Sequence, residues 1–432
     1  MSLTSAFTAI EVDHVTGLDG ADQGAATIEV GPSGEILAVR PAESTVSRET
    51  SELSAIPLLA DSHAHLGISD GVTESPEFHT LAHVDAQLRH LAVRGVGHIL
   101  SLGTDQRWLQ KHLGRRLASG EASDKAFGYS AGVGFGAVNG WPPEMTCPEL
   151  RFRPVEPELA RRQVRELAGM GCRVLKIWVD DFGGTVPKIP LEVVRAIVDE
   201  ARQCSILTFA HVHFHRDARA LVDLGIGVLA HSIRDQLIDA ALIDSMAKNA
   251  VTLVPTLSRE EAELAFSLED NPYMNNEFFL SSERDLVPLL RGKKFSDNPQ
   301  KPAKRLEIAL ENVARAHTAG IPIALGTDSG FKMKLQGFAQ HRELQLMNKA
   351  GMSPAECLKA ALQNNQRLFA TGMTAIVAGE PASFFIVKGN VQQNIRTTED
   401  IVEIWVSGKR LSGPDLLPGT ELYRNDAARG GR

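Results

Sequence analysis

Two histidines, His63 and His65, end an apolar run in the segment IPLLADSHAHLG, with Asp61 just ahead of them. An extended chain turns residues i and i+2 to one face, so both imidazoles point the same way from a strand end. That is half of a metal site, because neutral imidazole is a common ligand of divalent ions. Ligand-type residues recur at the ends of other apolar runs. Lys176 lies in VLKIWVDD, His211 and His213 in FAHVHF, His231 in LAHS and Asp328 in LGTDSG. Several imidazoles with one carboxylate suit zinc or a similar divalent ion, which takes nitrogen and oxygen ligands.

The elements that position these residues can be counted. From about residue 56 to 370, apolar runs alternate with amphipathic helical stretches, the rhythm of a parallel sheet. IPLLADSHAH, GVGHILSLGTD, AFGYSAGVGF and CRVLKIWVDD supply four strands. ILTFAHVHF, GVLAHS, VTLVPTLS and IPIALGTDSG supply four more. Helices such as PELARRQVRELAGMG and LEVVRAIVDEARQ separate them, and two helices end in a glycine ahead of the next strand. The pattern predicts an α/β fold, a (β/α)8 TIM barrel, whose chemistry belongs at the C-terminal ends of its strands.

Both chain ends read differently. IEVGPSGEILAV predicts a hairpin turning at Pro32, Ser33 and Gly34, and ASFFIVKGN and DIVEIWVSGKRL are short and alternating. The expectation is one small β-sandwich built from residues 1–55 and 371–432, flanking a barrel of residues 56–370. The tail RNDAARGGR is expected to be disordered. Residues 258–305 form a long insertion after the seventh strand, expected to act as a lid or pocket wall.

The totals agree with an enzyme of this size. The 432 residues are 43% hydrophobic and 23% charged, as in a globular enzyme. A net charge of −8 lacks the basic footprint of a nucleic-acid binder. Cys147, Cys172, Cys204 and Cys357 are scattered, with no disulfide framework or zinc ribbon. The start, MSLTSAFTAI, has no basic, apolar leader, and no apolar run reaches membrane length. A cytoplasmic protein with a small-molecule substrate is expected, without nucleic-acid or membrane partners; self-association is left open.

The strand-end motifs, taken together, resemble the amidohydrolase superfamily, over essentially the whole chain. Within it they look most like the prolidase-like and imidazolonepropionase-like amide hydrolases, in which the two later histidines are commonly 20 residues apart, as His211 and His231 are here. The resemblance implies two divalent ions, zinc foremost. His63, His65 and Asp328 would hold one, and His211 and His231 the other. Lys176, carrying carbon dioxide as a carbamate, would bridge them. It further implies cleavage of an amide, peptide, urea or carbamate C–N bond by a bridging hydroxide, with Asp328 as base. Prolidase-like relatives often carry a tyrosine where this chain has His213, and the histidine would polarise the substrate carbonyl or serve as a further metal-facing residue.

Each residue also has a plainer role. His63 and His65 could pack at a strand end, Asp328 could cap a helix, and Lys176 could bury its stem with its head in water. Arg234 could recognise a carboxylate or pair with Asp235 in an exposed ion pair. Arg259, Lys332 and Lys334 could favour an anionic group. His79, His83, His98 and His215 are read as surface or packing residues. Competing functions are a mononuclear zinc deaminase, a cyclic-amide hydrolase, a lactonase or phosphotriesterase, and a non-catalytic scaffold. The deaminase would normally lack the lysine, the lactonase the sandwich, and the scaffold some of the ligands.

Overall fold

The computed structural model describes residues 7–42, 52–119, 123–142, 151–370 and 372–411. The tail RNDAARGGR and Cys147 lie outside them. The barrel strands are short, and nearly every residue in them is buried. Leu59–Ala64, Val96–Ser101 and Val174–Trp178 are buried throughout. A parallel strand covered on both faces selects such continuous apolar runs.

Leu59–Ala64 pairs parallel with Val96–Ser101, and that strand with Phe127–Ser130. A second ladder runs from Val174–Trp178 through Leu207–His211 and Val228–Ala230 to Thr252–Val254, again all parallel. The third stave divides between the two. Phe127–Ser130 serves the second strand, and Phe135 pairs with Ile177 of the fourth. The break falls at Gly132, in the left-handed region at φ 66°. The eighth run is held by single bridges, Leu253 to Ile323 on one side and Ala64 to Ser329 on the other. It closes the ring without forming a regular ladder, because its last residues leave extended geometry to place Asp328 at φ 58°. The expected barrel is therefore present, with one split stave and one irregular stave.

Helices cover the outside. Leu191–Gln203 buries Val193, Val194, Ile197, Val198 and Ala201 along one stripe. The sandwich also forms. Ala26–Val30 and Ile36–Pro41 make the hairpin, with Thr8–Val12 beside it. The facing sheet joins Leu53–Pro57 from the front of the chain to Phe384–Lys388 from its end. Ala26–Val30 alternates buried and half-buried residues, as a strand with one wet face does. Ile10, Ile28, Ile36, Phe384 and Trp405 meet between the two sheets.

The insertion after the seventh strand folds on itself. Phe266, Tyr273, Phe279, Leu286 and Leu290 pack with Met333, Leu335 and Phe338, from beyond the eighth strand. It is a packed wall, and its last expected residues, 300–305, already belong to the helix Gln300–Thr318. Among the described residues no helix is long and apolar enough to cross a membrane.

Candidate metal centre

The six expected ligands come together. His63, within the first strand, and His65, just past it, are buried with ring centroids 5.6 Å apart. Lys176 is completely buried in the fourth strand, and its Nζ lies 3.2 Å from Nε2 of His63. His211 ends the fifth strand, and His231 follows the sixth; their rings are 4.5 Å apart. Asp328 Oδ1 sits 3.0 Å from His65 Nε2 and 3.2 Å from His63 Nε2. Ligand atoms of His63, His231 and Asp328 all fall within 4.8 Å of one another, a group able to hold a metal ion.

Two glycines make this convergence possible. A Cβ on Gly103 would stand 2.6 Å from Cβ of Lys176, and one on Gly326 would stand 2.9 Å from Cβ of His63. Any side chain there would push a ligand strand outward. The backbone is also bent at the ligands themselves. His231 (φ 80°), Thr256 (φ 51°) and Asp328 (φ 58°) occupy positive φ, a costly conformation that persists where the surrounding structure enforces it.

The rings are held by partners on their far sides. Nδ1 of His65 is 2.8 Å from the Thr104 hydroxyl, and Nδ1 of His231 is 2.8 Å from that of Thr256. Both rings thus aim Nε2 inward. His211 is turned the other way. Its Nε2 is 3.0 Å from Asp180 Oδ2, which leaves Nδ1 as its inward nitrogen. Asp61 is not a ligand but a floor. It accepts from the His63 and Thr327 amides, the Thr327 hydroxyl and Gln340. Burial nevertheless raises its carboxyl to about 6.

Burial sets the protonation of the site. It pushes His63 and His231 well below the usual imidazole value and His211 down to about 4, all toward the neutral form a ligand requires. Burial likewise brings the Lys176 amine down to about 7, helped by the charge of Arg259 and opposed by Asp328. The neighbouring imidazoles hold Asp328 well below the ordinary carboxylate range, against its burial. A set of neutral nitrogens around one ionised carboxylate, with the rings of His65, His211 and His231 each held from behind, fits a divalent cation.

Other expectations find different places. His213 stands outside the tight group, half-buried with its ring against Phe214 at 4.5 Å. Burial and the charges of Arg234 and Arg305 hold it down to about 3. Arg234 is not an exposed partner of Asp235. It is buried, with Nε 3.0 Å from Glu260, while Asp235 accepts from the His215 amide. Arg259 reaches Asp328, Nε to Oδ2 at 2.9 Å, and Lys334 reaches Glu263 at 3.2 Å. Lys332 is exposed. Of the plainer histidines, His98 and His215 are buried, and His83 lies 3.0 Å from the Ser69 carbonyl. Sequence reasoning missed Asp180, although it lies four residues past Lys176 on the same alternating face. It also missed Thr104 and Thr256, hydroxyl residues in the loops after the second and seventh strands.

Comparison with known proteins agrees with this fold. The model of the amidohydrolase family matches residues 55–411. An ochratoxinase of Aspergillus niger is 25% identical over 283 residues, covering 62% of this chain and 52% of that protein. The chain thus spans about half the length of that curated relative. The crystal structure of A. niger ochratoxinase superposes with a TM-score of 0.69 at 18% identity, over 94% of this chain and 96% of that one. A Xaa-Pro dipeptidase with methionine bound in its active site gives a TM-score of 0.69 at 19% identity, over 94% and 100%. These likenesses establish the fold, and the family match covers both the barrel and the strands that join it to the sandwich. The chain belongs to the amidohydrolase family.

Proposed function

We propose that this amidohydrolase works with two divalent ions, zinc foremost, and cleaves a C–N bond of a small substrate. The observation that carries this reading is Lys176, completely buried with Nζ 3.2 Å from His63 Nε2 and with no ion pair of its own among the described residues. One ion would be held by His63, His65 and Asp328 and the other by His211 and His231. A buried amine near 7 is neutral enough to take up carbon dioxide, and the resulting carbamate supplies the shared anion that a bare ammonium cannot. When bound, the ions acidify a water and polarise the scissile carbonyl.

The chain's own groups do the rest. Asp328 accepts the proton of the attacking water and delivers it to the leaving nitrogen. His213, held neutral, donates an N–H to the carbonyl oxygen as charge builds there. Thr104, Thr256 and Asp180 keep the imidazoles in their donor orientation. The wall formed by the insertion limits access of bulk water.

The reading is tested by stripping the protein with a chelator. Activity against a panel of N-acyl amino acids, dipeptides, ureas and carbamates is expected to vanish and to return with zinc or a similar ion. Unchanged turnover after verified metal removal would overturn it. Thr256→Val probes the support of His231. Metal affinity is expected to fall about 10- to 100-fold, measured by competition with a chromophoric chelator. An unaltered affinity would mean that the Thr256 contact does not orient a ligand.

A further inference from the structure

One helix beside the metal centre is capped in an unusual way. The helix Leu257–Ala265 follows the seventh strand, and the residue ahead of it is Thr256. A threonine in that place ordinarily adopts extended geometry, and its own hydroxyl accepts a hydrogen bond from the first turn of the helix. Thr80 does so at φ −124°, accepting from the His83 amide at the start of the helix Leu81–Ala92. Thr256 does not. It is left-handed, at φ 51°, and its side chain makes no capping hydrogen bond. Its hydroxyl lies 2.8 Å from Nδ1 of His231 instead.

A carboxylate from another element takes the first-turn amides. Glu343, on the helix Phe338–Lys349, accepts from the Leu257 amide at 2.9 Å with one oxygen and from the Ser258 amide at 2.6 Å with the other. Glu343 is completely buried and has no ion pair among the described residues. A buried carboxylate without a cation is costly, and two N–H donors and a helix dipole offset only part of that cost. Burial raises its carboxyl to about 8 despite the two amides. The Thr256 hydroxyl could cap the helix with no buried charge at all. The costlier arrangement has a use if that hydroxyl is needed behind His231. A left-handed threonine is itself strained, and such strain persists where the surrounding structure enforces it. Gln340, one turn earlier on the helix of Glu343, donates to Asp61, which accepts from the His63 amide. One helix thus stands behind both His63 and His231.

We propose that Glu343 is a positioning residue for the metal centre: by capping the helix Leu257–Ala265 in place of Thr256, it frees the threonine hydroxyl to fix the ring of His231. The inference rests on the proposed metal-dependent reading, in which His231 is a ligand through Nε2. A neutral imidazole that offers Nε2 to a cation carries its proton on Nδ1, and the Thr256 oxygen accepts the hydrogen bond from that N–H. Without Glu343 the first-turn amides lose their acceptor, and the one adjacent in the chain is the Thr256 hydroxyl. Thr256 then relaxes to extended geometry, caps its own helix and releases His231. The ring becomes free to turn, or to carry its proton on Nε2, the nitrogen that a metal needs bare.

The test compares the wild type with Glu343→Gln, Glu343→Asp, Thr256→Val and the double variant Glu343→Gln/Thr256→Val, at about pH 9, where Glu343 is mostly ionised. Glutamine matches glutamate in size but sets an NH2 group against an amide N–H, and aspartate falls one methylene short. Two quantities are read. One is the tautomer of His231 in the metal-free protein, by nitrogen-15 NMR of labelled histidine. The other is zinc affinity, by competition with a chromophoric chelator. The wild type is expected to hold the ring proton on Nδ1. Glu343→Gln and Glu343→Asp are expected to populate the Nε2–H form and to lose affinity about 10- to 100-fold, as Thr256→Val does. Both sites act through one contact, so the double variant is expected to match the weaker single variant within about twofold. Fully additive losses, an unchanged His231 tautomer in both Glu343 variants, or failure of both to fold would overturn the proposal. A shifted tautomer with unchanged zinc affinity would support the positioning role and count against His231 as a ligand.

Discussion

Lys176→Met is expected to lower kcat by at least about a thousandfold and to leave no more than one ion per chain. The substitution is chosen for its volume. Lys176 is completely buried in a strand whose neighbours are apolar, and methionine fills the same space without a polar head. Methionine fills the same space next to Trp178, so the metal-free variant should unfold thermally near the temperature of the metal-free wild type. Loss of activity with intact folding would then report loss of a ligand and not loss of structure. A variant that kept full activity and full metal content would assign Lys176 to packing alone. A single-ion enzyme of the deaminase type is the alternative that such a result would favour.

Asp328→Asn is expected to reduce kcat by about 10²- to 10⁴-fold while most of the metal is retained. The backbone permits this exchange, since asparagine tolerates the left-handed conformation that Asp328 adopts at φ 58°. The amide oxygen can still face His63 and His65, but it accepts a proton from water far less readily than a carboxylate. Arg259 would lose its charged partner at 2.9 Å, so KM should be followed along with kcat. Steady-state kinetics with metal quantification on the same sample decides the matter. Full activity in Asp328→Asn would remove it as the base.

Five of the six candidate ligands were legible in the sequence because they stand at or beside the end of an apolar strand run, and Lys176 because it is a lone charge inside one. Strand-end position is a one-dimensional property, and a barrel brings all such ends to one rim. The ring partners were harder to find. Thr104 and Thr256 look like any loop threonine, and only the closed barrel sets them 2.8 Å behind His65 and His231. Asp180 did leave a signal, since it shares the face of Lys176 in VLKIWVDD, but an acidic pair after a strand also reads as a simple turn. Arg234 shows why charge in a loop is a poor guide. Its sequence position suggests a carboxylate-recognising residue or an exposed partner of Asp235, and it lies sealed against Glu260, a residue on another element. The insertion was visible as a length anomaly. That it packs as a wall depends on Met333, Leu335 and Phe338, which sit beyond the next strand. Likewise, the run IPIALGTDSG read as a regular strand, whereas positive φ at Asp328 limits it to single bridges.

The central claim is a pair of ions joined through Lys176. Its most direct test is the metal content of protein prepared with zinc and isotopically labelled bicarbonate, with the carbamate carbon followed by NMR. The account predicts two ions per chain and a carbamate resonance that disappears in Lys176→Met. One ion per chain, with no carbamate resonance in the fully active enzyme, would contradict it.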